Sequence, residues 1–175
     1  AREMKERIGK LVGNDLAQHL YMGTFHSIFS RILRAEAEHI GFNSNFTIYD
    51  ETDSRSLLKA IVKEKGLDEK IYKPAAVHAK ISMAKNNLMS AEAYEADADI
   101  FMQNKRNNMQ KMGEVYKEYV QRCKQANAMD FDDLLVLTFQ LFRDHEEVRR
   151  KYAERFDYIL VDEYQDTNHV QMSIV

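Results

Sequence analysis

Apolar residues recur at every third or fourth position through most of this chain, and that spacing predicts a largely helical protein. Met4, Ile8, Leu11 and Val12 trace one such stripe, and a chain that opens inside it without a cap reads as a segment of a longer protein. Phe25, Ile28, Phe29, Ile32, Leu33 and Ile40 trace a second, with Gly23 or Thr24 as cap and Gly41 as stop. Leu57, Leu58, Ile61 and Val62 define a helix that starts at Asp50 or Thr52 and ends at Gly66. Pro74 suits the first turn of the next, where a missing N–H is harmless, with Val77, Ile81, Ala84 and Leu88 turned inward. Ser90 caps a further helix. Met109, Met112, Val115, Tyr116, Tyr119, Val120 and Cys123 then predict one long helix running from Asn104 to Ala126, its methionines acting as core filler. Asp130 caps a helix reaching Phe142, and Val148 and Tyr152 mark a shorter one.

Three short stretches break this period. His19-Leu-Tyr-Met22 reads as strand-like, and Asn45-Phe-Thr-Ile-Tyr49 alternates as an extended segment does. Tyr158-Ile-Leu-Val161 is short, apolar and β-branched, which predicts a strand buried on both faces. Asp162 and Glu163 follow it at once, so two carboxylates are expected at the carboxyl end of a strand, where open α/β sheets bind ligands. An Asp there can hold Mg²⁺ on nucleotide phosphates, and its neighbour can orient or deprotonate an attacking water. Taken alone, the acid pair could equally cap the next helix.

Composition sets bounds on these readings. The 175 residues are 45% hydrophobic and 30% charged, which fits a globular domain with a real core. No apolar run approaches the ~20 residues that cross a bilayer, so no membrane role is expected. The charged opening lacks a signal-peptide pattern, and the single cysteine, Cys123, excludes an internal disulfide and a cysteine metal cluster. A cytoplasmic setting is expected. Net charge is only −3, yet it is unevenly spread. Arg55–Lys85 holds eight basic against three acidic residues, whereas Asp130–Asp166 holds eleven acidic against five basic. That asymmetry suits a phosphate-binding region beside a metal-binding one, although a solvated helix surface looks similar.

Two further groupings carry chemistry. Gly23-Thr-Phe-His-Ser27 lies where an expected strand meets a helix N-terminus, a junction whose free N–H groups favour phosphate. Without that role, His26 is a helix-start histidine and Phe25 a core residue. Asp130-Phe-Asp-Asp133 could ligate a metal, but three acids in a first turn are what helix capping and the helix dipole select.

The string Val161-Asp-Glu-Tyr-Gln-Asp-Thr-Asn168 resembles motif II of the UvrD/Rep-like superfamily 1 DNA helicases. Residues 1–8 resemble the end of that family's motif Ia, and Gly23–Ser27 with Arg31–Arg34 resembles its motif Ib. Ile81-Ser-Met-Ala-Lys-Asn86 resembles a string of its inserted subdomain, and Ala128–Leu135 the segment ahead of motif II, with Met129 in place of a leucine. The resemblance implies a predominantly α chain with a small parallel β component, an incomplete RecA-like (P-loop NTPase) portion carrying a helical insertion. Its expected division is 1–27 motor domain, 28–127 inserted subdomain of the kind called 1B, and 128–175 motor domain. It further implies an ATP-dependent 3′ to 5′ motor on single-stranded DNA that unwinds duplex and serves DNA repair or replication.

In that reading Asp162 holds Mg²⁺, Glu163 acts as base toward water, and both face ATP, while Gln165 relays nucleotide state. Gly23, Thr24, Phe25, His26 and Ser27 meet the DNA backbone, and Lys70, Lys73, Lys80 and Lys85 are candidates for duplex phosphates. The pattern departs from the family in lacking a P-loop: Gly9-Lys10 is followed by Leu11, and Met4 stands where the first glycine belongs. The segment alone is therefore expected to be inactive. Two alternatives are a motor piece of a helicase-nuclease of the RecB or AddA kind, and a non-catalytic DNA-binding or interaction module.

Overall fold

The computed structural model describes residues 2–175. Helices dominate: α1 (Arg2–Val12), α2 (Asn14–His19), α3 (Phe25–Ala35), α4 (Glu51–Glu64), α5 (Pro74–Asn86), α6 (Ala91–Ala96), α7 (Ala98–Arg106), α8 (Met112–Gln125), α9 (Phe131–Asp144), α10 (Glu146–Arg155) and α11 (His169–Ile174). The sheet found among the described residues is one parallel pair, β1 (Thr47–Ile48) and β2 (Ala128–Met129), in register Thr47 to Ala128 and Ile48 to Met129. A mostly α chain with a small parallel β component is therefore what forms.

The caps fall where the sequence placed them. Thr24 caps α3, Asp50 caps α4, Ser90 caps α6 and Asp130 caps α9, each accepting an N–H from three residues on. Pro74 opens α5, and Gly41 and Gly66 take the left-handed conformation that ends a helical segment. β1 and β2 each feed a helix through an Asp-x-x-Asp box, in which the two aspartates accept one another's backbone N–H. Two neighbouring strands thus launch two helices by the same local chemistry.

Among the described residues, two hydrophobic cores form. The first joins Leu58, Ile61, Val62, Val77, Ile81, Met112, Val115, Tyr119 and Cys123 from α4, α5 and α8, with Tyr94 of α6. The second joins Phe29, Ile32 and Leu33 of α3 with Phe46, Met129, Leu134, Leu141, Val148, Tyr152 and Val170. α9 borders both, since it packs on α3, α10 and α11 and also on α5.

Three expectations are corrected. The long helix is broken into α7 and α8, because Asn108 turns left-handed (φ 56°) and the Met109 N–H closes back on the Asn104 carbonyl at 2.8 Å. A local side-chain period cannot see such a stop, since Asn104 before it and Met109 after it are both buried. His19–Met22 is not a strand: His19 ends α2 and the next residues are a connection. Nor is Tyr158–Val161 a strand, and it is not buried: Tyr158 is 90% and Leu160 96% exposed. The run is apolar enough for a sheet interior, but a strand is held by neighbours, and among the described residues none lies alongside to accept its hydrogen bonds.

Candidate functional site

Asp162 and Glu163 lie on an exposed turn after that unpaired run. Asp162 Oδ1 accepts the Glu163 N–H at 3.0 Å, and Gln165 Nε2 donates to Glu163 Oε2. Glu163 is left-handed (φ 51°), a conformation uncommon for a residue with a side chain. The turn continues as a 3₁₀ segment, Tyr164–Asp166, and Thr167 Oγ1 donates to the Tyr164 carbonyl. Asn168 then caps α11 in a reciprocal box with Gln171. Two adjacent solvent-facing carboxylates are hard oxygen donors, a donor set that fits Mg²⁺, which takes one or two carboxylates and leaves its other positions to water and phosphate.

Gly23–Ser27 forms a second tight unit. Thr24 Oγ1 accepts the Ser27 N–H at 3.3 Å, and Ser27 Oγ donates to the Thr24 carbonyl at 2.9 Å. A Cβ on Gly23 would fall 2.2 Å from Ser27 Oγ, so glycine leaves that hydroxyl its room. Phe25 is half-buried against Phe29, and His26 meets the ring of Phe131 edge-on at 5.8 Å.

Both units reach the first turn of α9. His26 touches Phe131; on the next residue, Asp132 Oδ1 accepts from Asn86 Nδ2 at 2.9 Å, and Asn86 Oδ1 accepts from Asn168 Nδ2 at 3.0 Å. The tail of the acidic turn and the start of α3 are thus joined to one helix end, with Asn86 of α5 as the bridge. Asn86 and Asp132 were not foreseen in this role. Their partners are 82 and 46 residues distant, and such pairing leaves no local pattern to read.

The four lysines do not behave alike. Lys70 and Lys73 are exposed and Lys80 half-exposed, but Lys85 is 3% exposed. Its Nζ lies 2.7 Å from Asp130 Oδ2 and 2.7 Å from Asp133 Oδ1, and Tyr119 donates to Asp130 Oδ2 at 2.9 Å. A buried ammonium with two carboxylates cannot meet a phosphate, so the expected DNA contact at Lys85 is withdrawn. The same geometry answers the metal question at Asp130 and Asp133: the cation they hold is Lys85.

Burial, which would lower the Lys85 pKa, is outweighed by Asp133 and Asp130, and the amine is held above its ordinary range. Two acids share this one base. Burial pushes Asp133 up to about 6, while in Asp130 the effect of burial is overcome by Lys85 and the group stays below its usual value. Cys123, read as a small core residue, is buried, and its thiol is pushed up to about 12 by that burial.

Comparison with known proteins identifies the family. The model of the UvrD/REP helicase N-terminal domain matches residues 1–175. The chain is 40% identical over 175 residues to the ATP-dependent DNA helicase PcrA of Leuconostoc citreum and 42% identical to PcrA of Staphylococcus aureus, covering all of this chain and 23% of each relative. It is 43% identical over 180 residues to the ATP-dependent DNA helicase UvrD1 of Mycobacterium leprae, covering 22% of that protein. The chain thus spans under a quarter of the length of these relatives, and it belongs to the UvrD/REP helicase N-terminal domain family.

Proposed function

We propose that this chain is the part of an ATP-driven DNA helicase that carries the metal-holding and water-activating carboxylates and ties them to a DNA-contacting helix start. The observation that carries the reading is the convergence on α9: Asn168 reaches it through Asn86 and Asp132, and His26 reaches it through Phe131. A change at the acidic turn has a short, packed route to Thr24 and His26.

In this reading Asp162 holds Mg²⁺ on the nucleotide phosphates, and the ion neutralises charge there when bound. Glu163 accepts the proton of the attacking water, and Gln165, already donating to Glu163, orients that carboxylate and senses its occupancy. Gly23, Thr24, Phe25, His26 and Ser27 contact single-stranded DNA, and Lys70, Lys73 and Lys80 contact duplex phosphates. The direction of travel is 3′ to 5′, and the setting is the cytoplasm. No described helix is long and apolar enough to cross a membrane.

The two cores bear on the domain division. α3 and β1 share the second core with α9, α10 and α11, which favours starting the inserted subdomain nearer residue 49 than residue 28. The inserted unit is then the first core, and the two flanking pieces form the motor portion.

The test is ATP turnover in the full-length protein containing this segment. Glu163→Gln should lower Mg²⁺-dependent turnover by about 10²–10⁴-fold, the range for losing a general base, with nucleotide binding kept. Turnover unchanged in both Glu163→Gln and Asp162→Ala would remove the assignment. The isolated 175-residue chain should show no turnover. Turnover in it that vanishes with Asp162→Ala would overturn that expectation.

A further inference from the structure

Away from the acidic turn, the corner between α9 and α10 faces the 3₁₀ segment Ala37–Ile40, which follows α3. His145 sits at the corner itself, ending α9 and preceding α10, and Glu147 lies in the first turn of α10. His39 comes from the 3₁₀ segment. One ligand atom from each of the three falls within 4.8 Å of the others. Glu147 Oε1 is 3.5 Å from His145 Nδ1 and 3.8 Å from His39 Nδ1, and the two rings stand 4.9 Å apart between centroids.

We propose that His39, His145 and Glu147 form a binding site for a divalent transition-metal ion of the zinc type, with water completing the coordination. Two imidazoles and a carboxylate are a donor set for zinc, not for magnesium or calcium, which prefer oxygen alone. Bonds of about 2.0–2.1 Å to a tetrahedral ion put ligand atoms about 3.3 Å apart, so the side chains need close by an ångström or less in the tighter pairs.

A second observation points the same way. The other ring nitrogen of His39, Nε2, faces Glu36 Oε2 at 3.8 Å. Glu36 is buried, and its Oε1 is fixed by Lys151 Nζ at 2.6 Å and the Tyr152 hydroxyl at 3.0 Å. At 3.8 Å the two are not hydrogen-bonded, but a ring shift of about an ångström would let this buried carboxylate accept from Nε2, orient the ring and select the tautomer whose free nitrogen faces the ion. Beside the imidazoles a cavity of about 290 Å³, bordered by His39, His145 and Asp144, gives room for water ligands. Cys123 also lines the cavity, but its thiol, held protonated by burial, stands outside the donor set. Bound there, the ion would cross-link the segment after α3 to the α9–α10 corner.

The test uses the chain as it is, freed of metal by a chelator and titrated with ZnCl₂ in a calorimeter. The expected result is one ion per chain, an upward shift of the thermal midpoint with Zn²⁺ and none with Mg²⁺. His39→Ala and His145→Ala should each weaken binding at least tenfold. Glu36→Gln should weaken it by about 10–100-fold although Glu36 never touches the ion. Absence of binding, equal response to Mg²⁺, or affinity unchanged in both histidine variants overturns the proposal. Should a variant fail to fold in the chelated state, Co²⁺ added to the unaltered chain decides: visible bands of a low-coordinate nitrogen and oxygen site support it, and the spectrum of the hydrated ion overturns it.

Discussion

Asn168, at the head of α11, donates through Nδ2 to the Oδ1 of Asn86, at the end of α5, across 3.0 Å and 82 residues of sequence. Asn86 passes its own Nδ2 to Asp132 and to the Ser82 carbonyl, so each of its polar atoms is used. Removing either asparagine should therefore be felt at the other. Asn86→Ala and Asn168→Ala should each lower unfolding free energy by more than the roughly 0.5–1.5 kcal/mol of one hydrogen bond, since Asn86 also holds Asp132 and Asn168 also caps α11. In a urea-denaturation double-mutant cycle the two losses should fall short of additive, and full additivity would mean that the contact carries no energy.

Lys85 offers a sharper contrast. Lys85→Met leaves Asp130 buried and Asp133 half-buried without their cation, and stability should fall by about 3–5 kcal/mol. Lys70→Ala and Lys73→Ala, on exposed side chains, should stay within about 0.5 kcal/mol. A loss below 1 kcal/mol for Lys85→Met, by the same denaturation assay, would show that water reaches the pair.

The same cluster sets a pH dependence. Asp133, raised to about 6, favours the folded state while protonated, so its contribution is whole below its ordinary value and is lost as pH climbs through 6. Lys85, also raised, contributes fully below its usual range and loses that contribution at strongly alkaline pH. Asp130, lowered, contributes above the ordinary carboxylate range and loses it only in strong acid. Between pH 4 and 6 the unaltered chain should lose this share of stability as pH rises, and Asp133→Asn should flatten that slope. An identical slope in the variant, read from urea midpoints, would assign the effect elsewhere.

Tyr158, Ile159 and Leu160 form an exposed apolar run, and such patches promote association. Tyr158→Lys with Leu160→Lys should raise the concentration at which the chain stays monomeric in ultracentrifugation while changing stability by less than about 0.5 kcal/mol. A large loss of stability would mean that the run is packed in solution.

What could be read from residues alone was what is local. The caps at Thr24, Asp50, Ser90 and Asp130 were legible because a side-chain oxygen and an N–H three residues on are one short pattern. The helix stripes at Leu58–Val62 and Val77–Ala84 were legible by period. Tyr158–Val161 misled because composition reports a preference for a sheet interior, whereas pairing depends on which strands are present. Lys85 misled because charge alone does not tell a surface lysine from a buried one; the clue was its place beside Ala84 on the inward face of α5. The Asn86 bridge and the His39 grouping had no sequence trace, being made by residues that only the packing of α9 brings together.

The parallel pair of β1 and β2 has a mechanical corollary. The chain leaves for the first core just after Ile48 and returns just before Ala128, and Thr47 and Tyr49 donate to Asn127 and Met129 across the two lanes at 3.0 and 2.8 Å. Exit and re-entry are stapled side by side, and the Lys85 clamp stiffens the same joint. Two lanes and a clamp, where a single strand would leave a free swivel, make this joint the place where a push on the helical bundle would be passed to the rest of the molecule as torque.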